Sequence, residues 1–170
     1  YPGVHHERFL LMMPEYLLVF DILSGTDGKK HACDWLYHNH GKGAEFRGAG
    51  EAGDLKSMAG GEYVQDVKTG RVNEKISGRF FMDTMSVFIS GDEQPGTMIT
   101  TGNGPLGSVE ERVHMVLIGR EGSEVIFLNA IEPVLDSLSP GGPSIESTAW
   151  SKDETGATLL TVKRKTGLDT

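Results

Sequence analysis

YLLVFDILSGTDGKKHACDWLYHNHG, residues 16–41, decides the fold class. From Tyr16 to Phe20 there is no apolar-polar alternation, and the first charge is Asp21. A short apolar run of this kind must be covered on both faces, as in an inner strand of a stacked-sheet domain. Asp27-Gly28 supplies the positive φ of a tight turn. The strand that follows puts Ala32, Asp34, Leu36, His38 and His40 on one face and His31, Cys33, Trp35, Tyr37 and Asn39 on the other.

Working outward, similar runs recur with turn signals between them. They are Arg8 to Met13, Tyr16 to Ile22, His31 to His38, Ile76 to Met82, Met85 to Ser90, Thr97 to Thr101, Val113 to Arg120, Glu124 to Ile131, Ile145 to Trp150 and Ala157 to Arg164. This spacing predicts an all-β domain, a stacked antiparallel β-sandwich of two or more layers with very little helix. Pro14-Glu15, Asp27-Gly28 and the residues from Gly119 to Ser123 each read as the turn of a hairpin. Val113–Ile118 and Glu124–Ile131 are apolar at both parities and read as doubly covered, whereas Ala157–Arg164 alternates and reads as nearer an edge. Residues 41–61 hold seven glycines and almost no large apolar side chains, which predicts a long surface loop whose one candidate helical turn is Glu51 to Ala59.

Bulk composition narrows the function classes. A chain of 170 residues is the size of one domain, so residues 1–170 are read as a single β-sandwich unit. The 16 Lys and Arg against 24 Asp and Glu leave a net charge of −8, the opposite of a nucleic-acid or anionic-membrane footprint. Neither partner is expected. An anionic ligand would need a local basic site, for instance if Arg8, Arg47, Arg71, Arg79 or Arg112 gathered on one face. The single Cys33 excludes an intramolecular disulfide.

No chemical motif dominates. Gly48-Ala-Gly-Glu-Ala-Gly53 has the spacing of a dinucleotide-binding turn but lacks the apolar strand before it and the long helix after it. His38 and His40 share a strand face, suitable for proton transfer or a metal, yet no dense ligand motif accompanies them, and no metal site is expected. Nothing pairs a Ser or Thr with a His at readable spacing. Lys163-Arg164-Lys165 reads as a solvated strand end, and residues 140–143, Pro-Gly-Gly-Pro, as a loop.

Taken together, Tyr1-Pro-Gly-Val4, the Arg8 to Asp21 hairpin, His31 to Gly41 with Asp34-Trp35 and Tyr37-His38, and Glu124 to Pro133 resemble the C-terminal β-domain of heparinase II/III-like polysaccharide lyases. Within that group the similarity is to alginate and oligo-alginate lyases. The resemblance implies an intact enzyme with a helical (α/α) toroid ahead of the β-domain and substrate in the cleft between them. Such enzymes cleave uronate-containing polysaccharides by β-elimination, with a Tyr or His as base and polar groups neutralising the carboxylate.

The resemblance also implies that the catalytic residues, and the His-x-His and Asp ligands of a structural Zn²⁺ seen in several members, lie in the toroid and in upstream strands. No catalytic residue, cofactor or metal is therefore expected within residues 1–170, and the chain by itself is expected to be inactive. The residues expected to reach substrate are His38, His40 and Arg8. The implied partners are an acidic polysaccharide or oligosaccharide, the toroid and the upstream strands; the implied setting is bacterial, periplasmic or secreted. Two further readings remain open. One is a carbohydrate-binding module that stacks sugars on Trp35, Tyr37 or Trp150; the other is a structural or interaction β-domain with an exposed apolar face.

Overall fold

The computed structural model describes residues 3–137 and 142–169, apart from the side chain of Leu168. Tyr1 and Pro2 of the family-like start, and Pro140 and Gly141 of the expected loop, lie outside the described residues. The strands in chain order are β1 (Val4–Met12), β2 (Leu17–Gly25), β3 (His31–Asn39), β4 (Gly43–Phe46), β5 (Glu51–Ala52), β6 (Gln65–Val72), β7 (Lys75–Phe81), β8 (Met85–Glu93), β9 (Thr97–Pro105), β10 (Arg112–Gly122), β11 (Glu124–Leu135), β12 (Ile145–Lys152), β13 (Thr158–Arg164) and β14 (Gly167–Asp169). They form three antiparallel sheets ordered β1-β2-β11-β8-β7-β4, β3-β10-β9-β6-β5 and β12-β13-β14. The fold is all-β and layered, with one 3₁₀ turn at Gly61–Tyr63 among the described residues.

The six-stranded sheet is the middle layer, which explains the unbroken apolar runs of β2 and β11. Val113–Ile118, expected to be doubly covered, lies instead in the outer sheet, where Met115 and Leu117 are buried with no further sheet over them among the described residues. One of its faces packs on the five-stranded sheet through Phe80, Phe127, Ile89 and Phe46 against Trp35, Ile99, Val116 and Ile118. Its other face packs on the small sheet through Tyr16, Leu18, Phe20, Ile126 and Leu128 against Ile145 and Val162. Strand β2 contributes to both faces, since Leu18, Val19, Phe20 and Asp21 are all buried. Each fully buried Phe, Ile or Leu adds about 1.5–3 kcal/mol relative to exposure, so the two cores supply most of the stabilisation.

Two of the three expected hairpins are layer changes instead. Met13-Pro14-Glu15-Tyr16 does join paired strands, with β1 and β2 in register from Val4↔Gly25 to Met12↔Leu17. Asp27-Gly28 carries the chain from β2 in the middle sheet to β3 in the outer one, and Ser123 carries it from β10 back to β11. Gly28 has φ 73°, and the Asp27 carboxylate holds this corner through the Lys29 amide at 3.0 Å and the His31 ring at 2.8 Å. A local turn signal specifies reversal of direction; which sheet the next strand joins depends on what its two faces bury.

The stretch 41–61 is more ordered than its composition implies. It contains β4 and β5, and no helical turn forms from Glu51 to Ala59. Here the glycines allow a close backbone crossing: a Cβ on Gly70 of β6 would sit 1.8 Å from the Gly48 carbonyl oxygen, and Gly48 itself has φ 90°. This crossing moves the chain from β4 to β5 and accounts for Gly48, and the close approach of Thr69 accounts for Gly53, without a nucleotide. Strand β13 is not an edge: it is the centre of the small sheet, paired with β12 and β14.

A buried ion pair ties the layers at one corner. Arg120 and Asp92 lie 3.0 Å apart with side chains 5% and 4% exposed. Arg120 also donates to Thr97 Oγ1 at 3.1 Å and to the Ile126 carbonyl, and its guanidinium sits 5.0 Å from the Phe127 ring centroid. Burial lowers the Arg120 pKa from its ordinary value, and Asp92 opposes that shift.

Candidate functional site

The three residues expected to reach substrate are not brought together. Arg8 lies on β1, the edge of the middle sheet, where its Nε and Nη2 donate to the two carboxylate oxygens of Asp21 at 2.6 and 3.0 Å. Asp21 is buried and also hydrogen-bonds His6 at 2.7 Å, so the Arg8 fork is committed within the protein. His38 lies on the face of β3 that points away from the middle sheet, because Cys33, Trp35 and Tyr37 take the inward parity. Burial against its neighbours, which include Met115 opposite it in the sheet, pushes His38 below the usual imidazole range and favours the neutral ring. His40 is exposed beyond the end of β3.

The other arginines that could have supplied a basic site are also engaged within the protein. Arg47 pairs with Glu74 at 2.8 Å, Arg79 with Glu45 at 3.4 Å, Arg71 donates to the Gly96 carbonyl at 3.4 Å and Arg112 to that of Tyr63. Positive charge collects instead in a groove between the small sheet and β7–β8, lined by Lys75, Ser77, Ser90, Glu146, Lys163 and Lys165 among others. Lys163 lies 2.9 Å from Glu146, and Lys75 donates to the Glu146 carbonyl. The Glu146 carboxyl is held below its ordinary range, first by the Lys163 hydrogen bond, with Lys75 and Lys165 adding to the effect. Arg164 turns the other way, 3.5 Å from Glu15 and 3.7 Å from Asp169, so the basic triplet is split rather than solvated as a unit.

A second concave site lies at one end of the sandwich, on the inward face of the outer sheet. Along β10 the inward residues Ile118 and Val116 belong to the core, and His114 continues the same row. Along β9, Ile99 and Thr101 are followed by Asn103, opposite His114. Strand β6 adds Lys68 opposite Thr101, after a bulge that inserts Asp66 and Val67 against Gly102. Bulges re-aim side chains. Asp66 has φ 53°, the sole non-glycine residue with positive φ among the described residues, and Asn103 Nδ2 donates to its Oδ2 at 2.7 Å. Gly43 and Ala44 of β4 close the opposite wall, leaving a cavity of about 210 Å³.

Lys68, Asp66 and Asn103 carry no signal in the sequence, and His114 stands there only as one of six histidines, because no spacing links the three strands β6, β9 and β10. The signal was parity: a histidine in the row of Val116 and Ile118 must sit at the end of the sandwich's inner face. The aromatic platforms fare differently. Trp35 is 4% exposed and stacks on Tyr37, which packs on Phe80. Trp150 packs against the second core. Trp35 and Tyr37 form no open stacking surface, whereas the partly buried Trp150 lines a groove with Lys75, Asp92 and Ser147.

The middle sheet ends in an uncovered edge. On β1 and the turn after it, Phe9, Leu10, Leu11, Met12 and Met13 are exposed, with Leu10 62% and Met12 79% accessible. Among the described residues no group of three His, Cys, Asp or Glu side chains could hold a metal ion. None of the described helices is long and apolar enough to cross a membrane. Comparison with known proteins finds no matching family model and no matching curated protein.

Proposed function

We propose that this chain is the C-terminal β-sandwich domain of a heparinase II/III-like polysaccharide lyase, acting on a uronate-containing polysaccharide of the alginate or heparin type by β-elimination. Its own part is mainly structural, with contacts to substrate at the cleft that a toroid would complete. The observation that carries the reading is the uncovered edge. Strand β1 presents an unpaired backbone row and apolar side chains on both faces, a surface that isolated domains normally blunt with charge, proline or a bulge. A multi-domain enzyme in which further strands and a toroid pack there explains that edge. The layered all-β architecture and the resemblance of residues 1–135 to that family support the same reading. A bacterial periplasmic or secreted setting goes with it, as does an acidic polysaccharide as partner.

The test is to extend the encoding reading frame upstream and express the whole product. The expected result is a rise in absorbance from unsaturated uronate ends with alginate or heparan sulfate, and none from residues 1–170 alone. An extended product without a helical toroid or without elimination activity would refute the proposal, as would turnover by residues 1–170.

The same exposed edge favours a second reading, an interaction domain that completes another subunit without enzymatic activity. It predicts a stable complex through β1 and no elimination by any extended product. A carbohydrate-binding module is less well supported, because Trp35 and Tyr37 pack into the core and Trp150 alone of the three lines a groove.

A further inference from the structure

We infer that the end cleft formed by Asp66, Lys68, Thr101, Asn103 and His114 is a binding site for one carboxylated sugar ring; the choice of a uronate rests on the lyase reading above. Four observations converge on it. The inner face of the sandwich changes at this point from the apolar row of Ile118, Val116 and Ile99 to a polar one, although an inner face that only packed would stay apolar. Lys68 and His114 line the cavity with no ion-pair or hydrogen-bond partner among the described residues. Thr101, a buried polar residue in the row of Ile99, also lines the cavity. Asp66 is held at φ 53° on a bulge, and strain of this kind persists where the surroundings over-determine it, often at ligand sites.

The donor set selects the ligand class. The Lys68 ammonium and the His114 ring present a cation and an N–H donor suited to a carboxylate. Asp66 uses Oδ2 for Asn103 and keeps Oδ1 available as an acceptor, while Asn103 and the buried Thr101 offer amide and hydroxyl groups for ring hydroxyls. A phosphate would be disfavoured by the Asp66 carboxylate, which a sugar hydroxyl would instead satisfy. The cavity of about 210 Å³ is closed by Gly43 and Ala44, so it accommodates one ring rather than a chain. That suits the terminal residue of an oligosaccharide, with the remainder leading outward past the exposed Lys68 and Asp66.

Dimannuronate, with mannobiose as its uncharged counterpart, distinguishes this site from the lysine groove. Both are titrated into the 170-residue chain while the His114 ring is followed by NMR and heat by calorimetry. Dimannuronate is expected to shift the His114 signals and mannobiose to leave them unmoved. Lys68→Ala, at an exposed position that leaves the fold intact, is expected to weaken binding about tenfold or more, the loss of one charge-assisted hydrogen bond. His114→Gln is expected to weaken it as well, and Lys163→Ala in the groove to have no effect. Binding that is lost in Lys163→Ala but kept in Lys68→Ala, or no shift at His114, overturns the site. The lyase reading fails separately: dimannuronate bound at the cleft with no elimination by the extended product retains the site and removes the enzyme. Elimination with KM unchanged in Lys68→Ala and His114→Gln retains the enzyme and removes the site.

Discussion

Removing one partner of the Arg120–Asp92 pair should cost far more than removing both. Asp92 lies 3.0 Å from Arg120 through Oδ1, which also accepts the Leu128 amide at 3.3 Å, and its Oδ2 accepts from Gln94 at 3.0 Å. With both side chains almost inaccessible, Asp92→Ala leaves a guanidinium in the interior and one backbone donor unmatched. The expected cost is about 3–5 kcal/mol, the range for breaking a buried pair by removing one partner. Arg120→Met keeps the aliphatic packing over Phe127 but strands the carboxylate, with a similar loss. The double variant removes both desolvated charges, and its cost should fall well below the sum of the two. Urea unfolding monitored by Trp35 fluorescence gives all three values in one double-mutant cycle. An Asp92→Ala loss under about 1 kcal/mol, or a double variant whose loss equals the sum, would refute the claim that charge burial governs this corner.

Other expectations concern the second core, the edge and one buried amide. Desolvation, aided by the 3.0 Å hydrogen bond to Asp169, pushes the Tyr16 phenol up to about 12. The folded state therefore holds this proton more tightly than the unfolded chain, whose phenol titrates near 10. The associated stability is complete below pH ~10 and is lost as pH rises towards ~12, by about 2–3 kcal/mol, so Tyr16→Phe should flatten that part of the stability-pH curve. Leu10→Lys on the exposed edge should lower concentration-dependent association in sedimentation velocity while changing stability by no more than ~0.5 kcal/mol. An equally associated variant would show that contacts elsewhere dominate. Asn129 is fully buried with neither side-chain polar atom partnered, so Asn129→Leu should raise the urea midpoint, by about 1 kcal/mol in free energy. A lower midpoint would mean that the amide is satisfied in solution or that the bulkier, tetrahedral leucine does not fit beside Gly91.

The strands were legible wherever both faces are apolar. Residues 16–22 and 124–131 could be read as doubly covered because a middle layer leaves no polar parity, and they occupy such positions in β2 and β11, whereas 113–118 lie in β10 of the outer sheet, only one face of which packs on another sheet. Strands β4, β5 and β6 went unread, since Gly43–Phe46, Glu51–Ala52 and Gln65–Val72 are short or polar and owe their extended state to neighbours such as β7 and β9. The two faces of β3 were also readable, with Trp35 on one and His38 on the other, but not which of them is buried or the layer beyond each. That was enough to place His38 and Asn39 on opposite sides and too little to show that Asn39 lies beside His114.

The sequence by itself determined the all-β class, the low helix content and the alternation that puts Cys33, Trp35 and Tyr37 on one face of β3 and Leu36 and His38 on the other, because these follow from side-chain period and turn chemistry within a few residues. Only the tertiary structure decided that Asp27-Gly28 and Ser123 change layers rather than close hairpins, that Arg8 is committed to Asp21, and that Lys68, Asn103 and His114 share a cleft. Each of those depends on contacts between residues far apart in the chain. Local pattern specifies which face of a strand is buried, but the strand that lies against it is chosen by packing across the whole molecule.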